Sequence, residues 1–258
     1  VELFIQKNHY APEKIEGISI ATQGIISSDG TAVTYGDIMG NANMQLSDFS
    51  SRLPYPCHLE HDSKAAADLE LWNHPQLDSA LVFLLNPNLG GAIITGHEVH
   101  HGNHMRSGLI EHICIDPDGP KCYCGNHGCL EQYASATGIV RVAGRMLAAS
   151  EEDSTLRGLQ NITAKDVLDA FKEGDALAVR IMEYVGDLLG GALAGFAAVV
   201  DPEAIVIGGG VSKAGQPLID CIQKYYMKYA FPSCKDTQIV LATLGNDAGI
   251  CGAAKMVL

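Results

Sequence analysis

The sequence predicts an α/β fold, because strand-like apolar runs alternate with longer helical segments along the whole chain. Hydrophobic residues make up 47% of the 258 residues and charged residues 18%, which is enough apolar material for one large domain or two smaller lobes. No repeat, low-complexity tract or long linker interrupts the alternation. The chain is therefore expected to fold as compact α/β units joined by short connections.

The first half of the chain contains several predicted strands. Residues 17–33 have the pattern of a buried strand, a turn at Gly24, a second strand-like piece and an Asp-Gly turn. Residues 53–62 lead through a loop into another strand, which passes into a helix rich in Ala and Leu. Residues 79–102 predict a hairpin of two strands with a glycine-containing turn.

The second half continues the alternation. Residues 163–166, "TAKD", have the pattern of a capping box before a helix. Residues 176–200 predict a long apolar helix, in which Gly190, Gly191 and Gly195 should allow close packing against a sheet. The other elements expected here are a helix from about Leu130, a buried strand and glycine turn at 204–212 followed by a helix, a strand at 237–244, and a turn at 245–249 that opens a terminal helix.

Charge and composition exclude several classes of protein. The net charge of −13 argues against nucleic-acid binding through a broad basic surface. No run of about eighteen apolar residues predicts a membrane span, and residues 1–14 have neither the basic region nor the apolar core of a signal peptide. This N-terminus has the pattern of a helix cut open inside a domain, so we expect a fragment of a longer protein. The eight cysteines are too uneven for a secreted disulfide scaffold, which favours a reduced, cytoplasmic protein without a membrane partner.

Four potential metal ligands are clustered in the middle of the chain. His112, Cys122, Cys124 and Cys129 form the pattern H-x9-C-x-C-x4-C, and zinc prefers four tetrahedral nitrogen and sulfur ligands. The alternative is a group of ordinary buried thiols with a helix-capping histidine. Cys114 is expected to be a core thiol, with replacement of one ligand as the other possibility. Since four ligands leave no open position, we predict a structural Zn²⁺ that holds a long loop between a hairpin and a helix.

Three motifs resemble one known family. "HICIDPDGPKCYCGNHGCLEQYASATGI" (112–139) is similar to the zinc-loop signature of the ROK family, named for repressors, open reading frames and sugar kinases. "IVIGGGVSKAG" (205–215) and "LGNDAGICGAA" (244–254) resemble that family's two C-terminal signatures, in the same order. The resemblance covers nearly the whole chain. It implies an actin-like, ribonuclease-H-like ATPase fold of two α/β lobes with a sugar in the cleft, in a cytoplasmic homo-oligomer.

The resemblance also implies a division into lobes. The N-terminal lobe would comprise residues 1–62 plus 245–258, with the C-terminal helix, and would be incomplete. The larger C-terminal lobe would comprise residues 63–244 and carry the zinc loop and the oligomerisation surface.

Sugar-binding residues follow from the resemblance, position by position. The family pattern E-N-D-x-N is represented by "EHDSK" (60–64), so Asp62 would contact the sugar and, in a kinase, act as the general base. The alternative role for Asp62 is the N-cap of the following helix. His61 replaces the family asparagine, as in the repressor branch. Asn43 in "GNANM" is a further candidate sugar contact.

The family pattern G-E-x-G-H is represented by "GLIEH" (108–112). His112 is retained and would serve both metal and sugar. Leu109 replaces the sugar-binding glutamate and Glu111 replaces a glycine, so one sugar contact is lost unless Glu111 takes it over. Glu131 of "GCLE" is another implied sugar contact, with stabilisation of the first turn of a helix as its alternative role.

Phosphate binding departs from the family pattern. A family kinase opens with a D-x-G-G-T loop, which does not occur in this sequence. The second phosphate loop, L-G-T-G-x-G-G, is represented by "LNPNLGG" (85–91), where Pro87 removes an N–H donor and Asn86 and Asn88 replace glycines. The glycines that could still contact a nucleotide are Gly90, Gly91, Gly208, Gly209 and Gly210; the last three are equally explained by a tight strand-to-helix turn.

Three functions compete on this basis. The site chemistry favours the sugar-binding effector domain of a transcriptional regulator without kinase activity, which would contact DNA only through a winged-helix domain absent from this sequence. The alternative is an ATP-dependent hexose kinase, with Asp62 as base and with ATP and Mg²⁺ held by the glycine turns. The third is a dimerisation or docking module that has lost sugar binding.

Overall fold

The chain alternates strands and helices as predicted. The computed structural model describes residues 1–35 and 43–258. Its strands are β1 (Ile18–Thr22), β2 (Ile25–Ile26), β3 (Val33–Tyr35), β4 (Cys57–His61), β5 (Ala80–Leu85), β6 (Leu89–Thr95), β7 (Glu98–Val99), β8 (Ala204–Gly208) and β9 (Gln238–Leu241). Its helices are α1 (Glu2–Lys7), α2 (Ser47–Ser50), α3 (Asp62–Asn73), α4 (Glu131–Ala134), α5 (Ala136–Ala149), α6 (Ala164–Lys172), α7 (Ala176–Val200), α8 (Gln216–Tyr229) and α9 (Ala248–Lys255).

The largest sheet in the described part of the chain has five strands in the order β7-β6-β5-β8-β9. Strands β5 and β6 pair antiparallel, which confirms the predicted hairpin, and β8 pairs parallel with both β5 and β9. All six residues of β5 are buried, because this central strand has helices on both faces.

The two faces of this sheet pack against different helices. Side chains alternate along a strand, so Leu81 and Phe83 of β5 join a core with α5, α6, α7 and α8. Val82 and Leu84 face the opposite way and join a core with α3 and α9. The sheet is therefore the middle layer of three.

Helix α7 forms a large part of the first core. Among the described residues it is the one helix long and apolar enough to cross a membrane, yet eleven of its residues are buried within the protein. A Cβ atom at Gly190 would lie 2.7 Å from the Cβ of Tyr225 in α8, whereas one at Gly195 would meet open space. The expectation that these glycines pack against a sheet is wrong, because the small-residue side of α7 faces α8.

Two small sheets are formed by the chain before α3. Strands β1 and β4 pair parallel, and β2 and β3 pair antiparallel. Ile26, Val33 and Leu59 form a separate core cluster between these sheets. Strand β4 runs directly into α3, so the start of α3 lies where the small sheets meet the large one. The two predicted lobe boundaries stay a prediction.

Candidate active site and metal centre

A cleft of about 670 Å³ lies between the small sheets and the large sheet. Its walls come from the β1–β2 turn, the start of α3, the β5–β6 turn and a 3-10 turn at Ile110–His112. Three of the predicted sugar-binding residues line this cleft: His61, Asp62 and His112. The other two, Asn43 and Glu131, are not among the described residues that line it.

Asp62 presents a partly accessible carboxylate to the cleft. It is the first residue of α3, and the N-cap is His61, whose Nδ1 accepts a hydrogen bond of 3.4 Å from the Ser63 backbone N–H. The alternative role of Asp62 as N-cap is therefore filled by its neighbour. The Ser63 hydroxyl donates to Asp62 Oδ1 at 3.1 Å, and 30% of the Asp62 side chain is accessible. Such a carboxylate can accept a proton or hydrogen bond from a ligand hydroxyl.

Two glycines of β6 bring the walls of the cleft together. A Cβ at Gly90 would lie 2.2 Å from the Ser63 hydroxyl, and one at Gly91 would lie 2.1 Å from Cδ1 of Ile110. Gly91 requires glycine, because a Cβ there would also lie 2.9 Å from the Gly108 carbonyl oxygen, whereas a Cβ at Gly90 would displace the Ser63 side chain. Their candidate role in nucleotide binding stays a prediction.

The 3-10 turn places the two residues that depart from the family pattern in the wall of the cleft. Leu109 and Glu111 line it together. Glu111 is only 4% exposed, and its Oε2 has no hydrogen-bond partner among the described residues. Burial raises the pKa of Glu111 to about 8, and the nearby charges of Glu131 and Asp62 act in the same direction.

Tyr123 connects the cleft with Glu131. Its hydroxyl lies 3.0 Å from His112 Nε2, and its proximity acts to lower the pKa of the Glu131 carboxyl group. Glu131 is 4% exposed, and burial raises its pKa to about 7. Sequence reasoning missed Tyr123, although its position between two metal-ligand cysteines could have indicated that the loop directs it towards the site.

The four predicted metal ligands come together. The donor atoms of His112, Cys122, Cys124 and Cys129 all lie within 4.8 Å of one another. His112 Nδ1 is 3.7 Å from Cys122 Sγ, and the Sγ atoms of Cys124 and Cys129 are 3.6 Å apart. A tetrahedral ion with metal–sulfur bonds of about 2.3 Å would separate two thiolates by about 3.8 Å, so the donors fit zinc.

Two further features define this metal centre. Cys114 is exposed and outside the cluster, so the expectation of a core thiol is wrong; its Cα pairs with Cys129 in an isolated bridge instead. Nδ1 of His112 faces the thiols while Nε2 faces Tyr123 in the cleft wall. One imidazole can therefore connect the metal centre to the cleft.

A second cleft, of about 910 Å³, adjoins the first at the β5–β6 turn. Asn86 lines both. The glycine turn after β8 lies against the β5–β6 turn. Gly209 has a φ of 84°, and a Cβ there would clash with the Leu85 backbone. The Gly210 N–H donates a hydrogen bond of 2.8 Å to Asn86 Oδ1. The lysines that line the second cleft are Lys165, Lys172 and Lys213.

The layered sheet and the two adjoining clefts define the actin-like sugar kinase fold. The chain belongs to the ROK family, because the sequence model of that family matches residues 1–258. It is 34% identical over 258 residues to a glucokinase of Halalkalibacterium halodurans, which covers 97% of this chain and 78% of that one. The structure of a ROK family glucokinase from Streptomyces griseus in complex with glucose and AMPPNP has a TM-score of 0.87 at 30% identity, and covers 99% of this chain and 86% of that one. The DNA-binding transcriptional repressor Mlc of Escherichia coli is 29% identical over 267 residues, which covers 100% of this chain and 64% of the repressor.

These similarities correct the preferred function. The expectation of a regulator's effector domain without kinase activity is wrong. The Halalkalibacterium halodurans glucokinase is more similar to this chain than the Mlc repressor, at 34% against 29% identity, and the match covers 78% of the glucokinase against 64% of the repressor. Two of the residues that favoured a regulator support the clefts in the folded chain. His61 caps α3, so the Asp62 carboxylate is not used as the cap and lines the cleft, and Asn86 accepts a hydrogen bond from the glycine turn after β8.

Proposed function

We propose that this protein is an ATP-dependent hexose kinase. The observation that carries the proposal is the pair of clefts that share Asn86, one lined by the Asp62 carboxylate and the other by three lysines and the glycine turn. A kinase needs this arrangement, because the sugar hydroxyl and the terminal phosphate must meet in line at one boundary.

In this reaction Asp62 accepts the proton of the attacking sugar hydroxyl. The hydroxyl oxygen forms a bond to the terminal phosphorus of ATP, the bond to the bridging oxygen of ADP breaks, and the proton goes to the Asp62 carboxylate. Magnesium bound with ATP would neutralise phosphate charge. His112 and Glu131 are further candidate sugar contacts.

Zinc at His112, Cys122, Cys124 and Cys129 would have a structural role. Four protein ligands leave no position for water or substrate, so the ion would stabilise the loop and hold the His112 imidazole towards the cleft. A homo-oligomeric state and a cytoplasmic location are retained as predictions from the family resemblance.

A sugar phosphorylation assay with the full-length gene product tests the proposal. Glucose is the first substrate to try, because the similar Streptomyces griseus structure is described as a complex with glucose and AMPPNP. We expect ADP release that depends on sugar, with a phosphorylated hexose identified by ³¹P NMR. ADP release that no hexose raises above the sugar-free background would overturn the kinase proposal.

A further inference from the structure

The Glu111 side chain is buried at the cleft, and one of its carboxyl oxygens has no hydrogen-bond partner among the described residues. The side chain is 4% exposed and lines the cleft, and its Oε2 has no partner among the described residues. Its Oε1 lies 4.0 Å from His112 Nε2, which is beyond hydrogen-bond distance. Burying a carboxyl group without a partner is costly, so a partner supplied by a ligand would account for its position.

The same wall lacks the hydrogen-bond acceptor that the family pattern has at position 109. Leu109 lines the cleft two residues before Glu111, on the same 3-10 turn, and a leucine cannot accept a hydrogen bond. The close packing of Gly91 against Ile110 fixes that turn on β6. The carboxyl group therefore reaches the cleft from position 111 instead of position 109, on a backbone held in place by the sheet.

We propose that Glu111 is a sugar-positioning residue that hydrogen-bonds a ring hydroxyl of the bound hexose, in place of the contact that Leu109 cannot make. This inference rests on the proposed hexose site and adds to it a residue that the family pattern does not supply. Glu111 and Asp62 would hold different hydroxyls of one sugar, because both line the same cleft.

The surroundings of Glu111 also define the class of sugar. Among the described residues that line the cleft, none is Lys or Arg. A carboxylate or phosphate on the sugar would meet the Asp62 carboxylate, and no Lys or Arg in this lining would offset the repulsion, so the site fits a neutral hexose better than uronic acids and sugar phosphates.

Glucose binding by isothermal titration calorimetry, on the full-length protein, tests this role. We expect Glu111→Ala to weaken binding about 10- to 100-fold, and Glu111→Gln, which keeps hydrogen-bonding atoms, to remain within about fivefold of the wild type. The double variant Leu109→Glu/Glu111→Gly restores the family arrangement and should also remain within about fivefold. The exposed Glu151→Ala is the control substitution.

A series of monodeoxyglucoses separates direct contact from a structural role. One deoxy sugar should bind the wild type at least about tenfold more weakly than glucose, and the same sugar should bind Glu111→Ala about as well as glucose does. Additive losses for every deoxy sugar would overturn the contact. Zinc content and thermal unfolding are measured for each variant. If Glu111→Ala does not fold, the same series is applied to Glu111→Gln and the double variant.

The outcomes distinguish this inference from the proposed function. If the wild type binds no hexose, the proposed function is overturned and this inference with it. If the wild type binds glucose but folded, zinc-loaded Glu111→Ala binds it within about twofold, only the role of Glu111 is overturned.

Discussion

Asn86 Oδ1 accepts a hydrogen bond of 2.8 Å from the backbone N–H of Gly210. This bond joins the β5–β6 turn to the glycine turn after β8, which is 124 residues away in sequence. The asparagine that replaces a family glycine is therefore a structural link between the two clefts. Asn88 makes a different contact: its Nδ2 donates to Gln23 Oε1 at 3.1 Å, on the side of the first cleft.

Asn86→Ala should damage nucleotide binding more than sugar binding. Loss of the acceptor leaves the Gly210 N–H without this partner, so we expect KM for ATP to rise about tenfold and the free energy of unfolding to fall by about 1 kcal/mol. Asn88→Ala is the matched control and should weaken sugar binding instead. Steady-state kinetics with each substrate varied in turn give both values. An unchanged KM for ATP in Asn86→Ala would show that this hydrogen bond has no part in the nucleotide site.

Cys124→Ser should remove the metal and loosen the loop. A serine hydroxyl is a poor zinc ligand, so we expect the zinc content to fall from one ion per chain to nearly none, with faster proteolysis between residues 112 and 130. Cys114→Ser is the control, because Cys114 is exposed and outside the cluster. Metal analysis by mass spectrometry checks both variants. Equal zinc content in the two would contradict the ligand assignment.

The parts of this structure that were predictable from sequence are local in the chain. Periodicity and turn residues predicted the β5–β6 hairpin and the strand–helix alternation, and the capping box at Thr163 and Asp166 is present. The spacing of the ligands along the chain was enough to predict that His112 and the three cysteines lie together, because the short loop between them permits few other arrangements.

The remaining features depend on contacts between distant segments. Gly190 could pack against a sheet or a helix, and only the position of α8 decides between them. The tripeptide Cys-Tyr-Cys does not reveal that the Tyr123 hydroxyl contacts His112, since that requires the loop to fold back on the 3-10 turn. The functional prediction depended on His61 and Asn86 as departures from the kinase pattern, whereas each has a supporting role in the folded chain that the sequence does not show.

Asp62→Asn should separate catalysis from sugar binding. Asparagine keeps the size and a hydrogen-bonding oxygen but cannot accept the hydroxyl proton, so kcat should fall about 10²- to 10⁴-fold while Kd for glucose changes less than about tenfold. Ser63→Ala is the control: it removes the hydroxyl that donates to Asp62 Oδ1 but leaves the carboxylate, and should reduce kcat less than about tenfold. If kcat of Asp62→Asn stays within tenfold of the wild type, Asp62 is not the general base.

Asp175 should stabilise the fold in a way that depends on pH. It is the N-cap of α7, and its carboxylate accepts hydrogen bonds from the backbone N–H groups of Ala178 (3.0 Å) and Thr155 (2.8 Å). Partial burial raises the pKa of Asp175, but these hydrogen bonds, with those from the side chains of Ser154 and Thr155, outweigh burial and hold it below its ordinary value of 3.8. Because the folded-state pKa is lowered, the stabilisation is present above the unfolded-state pKa and is lost as pH falls through the folded-state pKa.

Asp175→Ala should therefore lower the free energy of unfolding by about 1–2 kcal/mol at neutral pH, as expected for loss of a helix N-cap. Urea unfolding of the wild type and of Asp175→Asn, at intervals from about pH 7 to about pH 2, measures how the difference in stability depends on pH. The difference should shrink as the pH falls, because protonation leaves the wild type with a neutral cap similar to asparagine. Exposed Asp236→Asn should show little difference across the series. A difference for Asp175→Asn that grows towards low pH would reverse the predicted sign and show that the folded state favours the protonated carboxyl.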